Sequence, residues 1–265
     1  MDFTGKVALI TGGGGGIGRA AALGFALRGA KVMVVDADAA SGQASVDVIA
    51  QRGGTAAFVQ ADVTQSASVK DYVEKTVALY GRIDCFFNNA GIEGTVVPTQ
   101  DYDEAVFDRV IAVNLKGVFL GMQHVLRVML QQGSGSIVNT ASVAGLFGSP
   151  GMAAYVASKH GVLGLTKVAS TDVAGFGIRV NAVCPGPVET RMMRSLESQR
   201  NPNNPESVHA AYAAGIPTGR YALPEEIAGA VLYLCSDLSG DVTGTHIVID
   251  GGRAASGGVA PVKRL

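Results

Sequence analysis

Cysteine is scarce in this chain. Its three copies, Cys85, Cys184 and Cys235, are odd in number, far apart and set in apolar segments. That excludes a disulfide framework and predicts buried, reduced thiols acting as small hydrophobes. Histidine is nearly as rare. None of His124, His160, His209 and His246 has metal-ligand spacing to another or to a cysteine, so no metal site is expected. Charge is sparse too, at 16% of residues with a formal net charge of −1. That balance favours neither nucleic acid nor an anionic membrane as partner, and the basic end "VKRL" is too short to change it. No apolar run approaches the roughly 18 residues of a membrane span. The opening "MDFTGKVALITGG" lacks a basic region followed by an apolar stretch and a cleavage site, so a cytoplasmic location is expected.

Apolar residues are abundant, at 48% of 265, which is the composition of a core-rich globular chain. A length near this value suits one α/β unit. Short β-branched runs at 6–11, 31–36, 55–60, 84–88, 136–141, 178–183 and 246–250 read as strands. They are mostly continuous apolar runs, as in strands covered on both faces. Between them, helical periodicity occupies 17–28, 39–51, 65–80, 102–131, 152–174 and 224–236. Alternation of this kind predicts a single α/β domain: a doubly wound, seven-stranded parallel sheet with helices on both faces. Two segments break the alternation. Residues 191–219 are polar and rich in Pro and Asn, and would overhang the carboxyl ends of the strands as a substrate lid. The tail 253–265 is small and polar up to its end, and is expected to be mobile or packed on a neighbouring subunit.

"ITGGGGGIG" follows the first predicted strand and opens a helix. Glycines let the backbone turn tightly and approach a pyrophosphate, and the helix behind them offers unpaired N–H groups and the positive end of its dipole. That places Gly12, Gly16, Ile17 and Gly18 at a dinucleotide. Asp36 ends the second strand, where a carboxylate accepts both ribose hydroxyls of adenosine and repels a 2′-phosphate. Ala37 follows it and no basic residue interrupts Gly12 to Gly18, so NAD is expected over NADP. Asp62, with Val63, follows the third strand; it either receives the adenine amino group or caps the next helix.

Ser142 lies just past the fifth strand, at the edge where catalytic groups collect in an open parallel sheet. In "AAYVASKHG", Tyr155 and Lys159 are four residues apart and share a helix face. A phenol is a poor base near neutrality, but an adjacent ammonium favours the phenolate. The pair, with Ser142 holding the same oxygen, is equipped to exchange a proton with an alcohol or carbonyl. Asn114 falls on the apolar stripe Phe107, Ile111, Val118, Met122, Val125, Met129. A buried amide needs partners, so backbone, water or the lysine should engage it.

These motifs resemble the short-chain dehydrogenase/reductase family, over essentially the whole chain to about residue 252. The segment "TGGGGGIG" (11–18) is similar to its TGxxxGxG loop, "NNAG" (88–91) to its strand-four motif, "PGPVET" (185–190) to the segment after strand six, and "IDGG" (249–252) to its last strand and turn. The resemblance implies a Rossmann-type domain spanning 1–252, with Asn114, Ser142, Tyr155 and Lys159 as the catalytic tetrad. It implies Tyr155 as the acid/base, Ser142 as the substrate anchor, and Asn114 as the holder of a water in a proton relay. Lys159 is implied to lower the tyrosine's pKa and to bind the nicotinamide ribose. Asn89, Ala90, Gly91, Pro185, Gly186, Val188 and Thr190 join Tyr155 and Lys159 against the cofactor, with Val188 and Thr190 on the carboxamide.

Position puts Val143, Leu146, Phe147, Met152, Pro187, Met192 and Met193 in the substrate pocket, with Glu93 and Gly94 beside it. Most of these are apolar, which suits an adaptable hydrophobic pocket. Phrases such as "FFNNAGIEG" and "VNTASVAG" resemble NAD-dependent enzymes of cyclic ketones and secondary alcohols. The small-molecule substrate is therefore expected to be an apolar, cyclic secondary alcohol or its ketone. A sugar-alcohol or hydroxysteroid dehydrogenase and a non-catalytic nucleotide-binding regulator are the alternatives. The family's habit implies a homotetramer.

Overall fold

The computed structural model describes residues 1–256. The apolar runs form β1 (Val7–Thr11), β2 (Lys31–Asp36), β3 (Thr55–Gln60), β4 (Cys85–Asn88), β5 (Gly135–Thr140), β6 (Ile178–Pro185) and β7 (His246–Ile249). They pair in parallel in the order β3-β2-β1-β4-β5-β6-β7. The helices are α1 (Gly16–Ala26), α2 (Ala39–Gln51), α3 (Ser66–Tyr80), α4 (Glu104–Ile111), α5 (Gly117–Gln132), α6 (Ala153–Val173), α7 (Arg191–Arg200), α8 (Pro205–Ala214) and α9 (Pro224–Cys235).

Successive strand residues point to opposite faces, so each central strand feeds two cores. Ile10, Val32, Val34 and Val183 pack with Phe25 of α1, Ile49 of α2 and Leu232 of α9. Leu9, Met33, Ile137 and Val180 pack on the other side with Tyr72 of α3, Met129 of α5 and Val162 of α6. Both layers cover the strands, which explains the apolar runs of β1 and β4. Cys85, Cys184 and Cys235 lie inside, free and buried, as expected.

From β1 the chain winds out to β2 and β3, then returns to place β4 on the opposite side of β1. The connections leaving β1 and β4 diverge, which opens a crevice at their carboxyl ends. The glycine loop after β1 and the segment after β4 both run into it.

The helical stretch expected over 102–131 runs from Glu104 to Gln132 with one widened turn inside it. Asp103 caps α4 by accepting the Val106 N–H at 2.9 Å, and Ala112–Lys116 then widens into a π-helical turn before α5. The wider turn shifts the phase of the apolar stripe: Val118, Met122, Val125 and Met129 are buried, whereas Phe107 is 37% exposed. The polar stretch 191–219 holds the two short helices α7 and α8. Thr190 caps α7, and Asn204 caps α8 ahead of Pro205 in its first turn. In the tail, Arg253 to Ser256 continue in turns after β7, and residues 257–265 lie outside the described residues.

Asp84 fastens the amino-terminal edge of the sheet. It is 7% exposed and accepts the Val7 N–H at 2.9 Å and the Arg82 guanidinium at 2.8 and 2.6 Å. Asp84→Ala leaves the Val7 N–H unpartnered, for an expected loss of about 1–3 kcal/mol. Urea unfolding should show a lower midpoint at unchanged slope.

Candidate active site

The crevice is built on a joint between the ends of β1 and β4. The Thr11 hydroxyl oxygen accepts the N–H groups of Asn89 (2.9 Å) and Ala90 (3.1 Å). Asn89 returns the contact, its amide donating to the Thr11 carbonyl at 3.1 Å and accepting from Thr140 at 3.1 Å. Gly12 sits at φ +64°, where a Cβ would meet Asn89 and Ala90 at 3.0 Å. A Cβ on Gly18 would overlap the Gly12 carbonyl. Glycine at these two positions is thus a packing requirement. Gly15 caps α1 without any side-chain hydrogen bond, and the space around its missing Cβ is open. A helix N-terminus with bare N–H groups and a glycine floor suits a pyrophosphate.

Asp36 lies beside this loop, its carboxylate accepting the N–H groups of Gly14 (2.8 Å) and Asp38 (3.0 Å). Arg19 is a basic neighbour outside the glycine motif. It donates to Ser45 Oγ at 2.9 Å and to the Gly14 carbonyl, so its guanidinium holds the loop to α2. Asp62 caps its own turn, accepting from the Thr64 N–H at 2.9 Å, while the residue preceding α3 is Gln65. Val63 packs under Gly117, at the start of α5.

The π turn places Asn114 fully inside the protein. Its Oδ1 accepts the Ile92 N–H at 2.8 Å and its Nδ2 donates to the Ile92 carbonyl at 2.9 Å. Backbone engages it, and Ser158 Oγ is a further neighbour at 3.3 Å. Tyr155 and Lys159 share one face of α6, with the ammonium 5.6 Å from the phenol ring centroid. Lys159 is 3% exposed and donates to the Thr140 carbonyl at 2.7 Å. Burial pushes its pKa down to about 8. Burial also raises the Tyr155 phenol above its ordinary value, and the Glu93 carboxylate adds to the rise. The Ser142 hydroxyl lowers it. Ser142 caps the turn Val143–Gly145, and its hydroxyl lies 3.4 Å from the Pro185 carbonyl.

The segment after β6 completes the rim. Gly186 donates to Ile249 at 2.9 Å, and its missing Cβ makes room for Asp250. Val188 is buried and bridges to Ala222. The Thr190 methyl lies against Gly16 of the glycine loop. Of the apolar candidates, Met152 is buried, Val143, Met192 and Met193 are half-buried, and Phe147 is half exposed. Leu146 packs on the core, and Pro187 faces a hollow lined by Thr218, Ile249 and Asp250.

Sequence reasoning missed a polar network under the lid candidate. Glu197 is 1% exposed and accepts from Tyr221 (2.8 Å) and Arg194 (3.1 Å), with His209 Nδ1 at 3.0 Å. Arg194 also reaches Glu189 at 2.9 Å, which ties α7 and α8 to the "PGPVET" segment. Gln199 binds the loop after β4 through Gly94 (3.1 Å) and Val96 (2.9 Å). The only signal in the sequence was an i, i+3 Arg–Glu pair within a polar stretch. Among the described residues no three His, Cys, Asp or Glu side chains converge as a metal site would need.

A family model described as enoyl-(acyl carrier protein) reductase matches residues 13–254. Levodione reductase of Leifsonia aquatica is 43% identical over 96% of this chain and 96% of its own. The crystal structure of levodione reductase superposes with a TM-score of 0.95 at 43% identity, covering 96% of this chain and 99% of that one. The chain belongs to the short-chain dehydrogenase/reductase family. Cyclohexanol dehydrogenase of Acinetobacter sp. (strain SE19), 42% identical over 94% of this chain and 95% of its own, is a further relative. The crystal structure of NAD+-bound xylitol dehydrogenase has a TM-score of 0.92 at 37% identity, over 95% of this chain and 100% of that one. As a short-chain dehydrogenase/reductase the protein is an oxidoreductase of the CH–OH class that uses a nicotinamide cofactor, and the bare helix terminus and glycine floor fit such a dinucleotide.

Two outcomes test the geometry. Thr11→Val leaves two backbone N–H groups unpartnered; it should cost about 2 kcal/mol and weaken nicotinamide-dinucleotide binding, read by calorimetry. The second concerns Lys159. Folding lowers its pKa from 10.5 to about 8. Charging it in the folded state is therefore a cost fully present below pH 8 and relieved as pH rises toward 10.5. Wild-type stability should gain on the order of 3 kcal/mol from this group across that window. Lys159→Met should lack that gain in unfolding measured against pH.

Proposed function

We propose that this protein is an NAD(H)-dependent dehydrogenase/reductase of apolar, cyclic secondary alcohols and their ketones, with Tyr155 moving the proton. The observation that carries the reading is the convergence of Tyr155, Ser142 and buried Lys159 on the same sheet that carries the glycine loop and Asp36. The bound nicotinamide supplies or accepts the hydride. The Tyr155 phenol oxygen takes the alcohol's proton in oxidation and returns it in reduction. The Ser142 hydroxyl holds the same substrate oxygen and, through its effect on Tyr155, favours the phenolate. Lys159, fixed on the Thr140 carbonyl, holds an ammonium beside the ring and opposes the charge that proton loss leaves there. Asn114 positions the strand-four loop by clamping Ile92.

Asp36 supports NAD, because a 2′-phosphate would meet its carboxylate and the nearby Arg19 is already engaged. Levodione reductase and cyclohexanol dehydrogenase, with the half-buried Val143, Met192 and Met193, support the apolar cyclic substrate. A lid formed by α7 and α8 fits the bonds from Gln199 to the strand-four loop. Exposed Phe119 and Leu130 on α5 and Val168 on α6 offer apolar surface for the homotetramer.

Purified protein with a panel of cyclic, linear, sugar and steroid alcohols should turn over the cyclic members best, followed by nicotinamide absorbance. Tyr155→Phe should cut kcat by about 10²–10⁴-fold and leave NAD binding nearly intact; substantial residual turnover assigns the proton to another group. kcat/KM should favour NAD over NADP by about 100-fold. Equal use of the two cofactors refutes the role of Asp36.

A further inference from the structure

The segment leaving β6 touches both Ser142 and the glycine loop. At Pro185 its carbonyl lies 3.4 Å from the Ser142 hydroxyl, and at Thr190 its methyl lies against Gly16. Residues 186–190 therefore span the interval between the two. A dinucleotide with its pyrophosphate on that loop and its hydride carbon facing Ser142 and Tyr155 lays its nicotinamide half along this stretch.

After Gly186, which donates to Ile249 at 2.9 Å, the backbone of the stretch is held outside the main sheet. Val188 pairs with Ala222 in an isolated parallel bridge. Its bonds run from the Ala222 N–H to the Pro187 carbonyl (3.0 Å) and from the Glu189 N–H to the Ala222 carbonyl (2.9 Å). Two such bonds are marginal alone. One carboxylate fastens both sides of the bridge. On one side, Tyr221 donates its hydroxyl to Glu197 Oε1 at 2.8 Å. On the other, Arg194 joins Glu189 (2.9 Å) to Glu197 Oε2 (3.1 Å). From α8, His209 Nδ1 lies 3.0 Å from Oε1, and its ring packs on Tyr221 with centroids 4.3 Å apart. Glu197 is 1% exposed. Burial by itself raises its carboxyl, but the hydrogen bonds from Tyr221, His209 and Arg194 prevail and hold it below its ordinary value. A charge kept in the interior is costly unless its oxygens are engaged, and both are.

Resting on the nicotinamide-dinucleotide reading of the groove, we propose that Glu197 is a positioning residue for the nicotinamide half of the cofactor. It locks the Val188–Ala222 bridge from both sides and so fixes the line that residues 186–190 present to the nicotinamide. Its action runs through Tyr221 and through Arg194 and Glu189. The adenosine half depends on other parts, the glycine loop and Asp36, which this network does not hold. Loss of Glu197 should therefore weaken one half of the cofactor and spare the other.

Calorimetric titration of the full chain with NADH and with ADP-ribose, which has the adenosine and pyrophosphate but no nicotinamide, reads the two halves separately. Glu197→Ala should weaken NADH by about 10- to 100-fold and leave ADP-ribose within about 2-fold of wild type. Glu197→Gln keeps an acceptor for Tyr221 and should restore most of the NADH affinity. Tyr221→Phe keeps the ring on His209 and removes only the hydroxyl; it should show a smaller loss, again confined to NADH, and it decides the matter if Glu197→Ala does not fold. Equal weakening of both ligands marks a general packing defect and overturns the proposal, as does unchanged NADH affinity. Neither ligand needs an alcohol. A protein that oxidises none of the alcohol panel but shows the split keeps the role of Glu197, while the alcohol-dehydrogenase reading falls. Wild type that binds NADH no more tightly than ADP-ribose overturns the role of Glu197.

Discussion

The architecture of the site hangs on one hydroxyl. Thr11 ends β1, and its oxygen takes two backbone N–H groups from the segment leaving β4. Parallel strands pair only along their length, so two strands whose continuations diverge need something else to hold their tips in register. The Thr11–Asn89 joint does this, and much else rests on it. Gly12 nests against Asn89 and Ala90, Gly18 packs on Gly12, and Asn89 reaches across to Thr140. The Thr140 carbonyl in turn receives Lys159. A chain of short contacts therefore runs from the glycine loop to the lysine beside Tyr155, with no loose link in it.

The electrostatics of that lysine and tyrosine oppose each other usefully. Burial disfavours charge on both, lowering the ammonium to about 8 and raising the phenol. Neither group is comfortable alone in its ionised form, but the ionised pair is mutually compensating. Proton transfer at the phenol is thus coupled to the state of a neighbour only one helical turn away. Ser142 adds a dipole at the reacting oxygen, and Glu93 adds a charge of the opposite effect.

The strand–helix alternation was readable because two-sided burial writes itself as unbroken apolar runs, and β2 and β3 have the boundaries expected from the pattern. The glycine loop, Asp36, Asn114, Ser142, Tyr155 and Lys159 were readable because each is a chemically odd residue at a fixed offset from a strand or along a helix. The π turn was not readable. A single widened turn preserves the apolar pattern on either side of it and shows only as a phase slip, with Phe107 left exposed. The Glu189–Arg194–Glu197–His209–Tyr221 network was hidden for a different reason. Its members look like solvated surface until α7 and α8 fold over one another and take Glu197 out of water. Desolvation, the largest effect on the Tyr155 phenol, was likewise not legible, because burial is a property of the folded interior and not of a spacing.

Tyr212 of α8 has a further consequence. Its ring carries the Arg200 guanidinium of α7 at 5.7 Å and the Arg253 guanidinium from beyond β7 at 5.3 Å. Two successive helices and the segment after β7 thus share one aromatic ring. Each contact contributes about 0.5–1 kcal/mol. Together they add about 1–2 kcal/mol to the His209–Glu197 and His209–Arg194 contacts that already join α7 to α8. The segment after β7 is thereby tied to the same pair of helices, so a substitution at Tyr212 loosens both junctions at once.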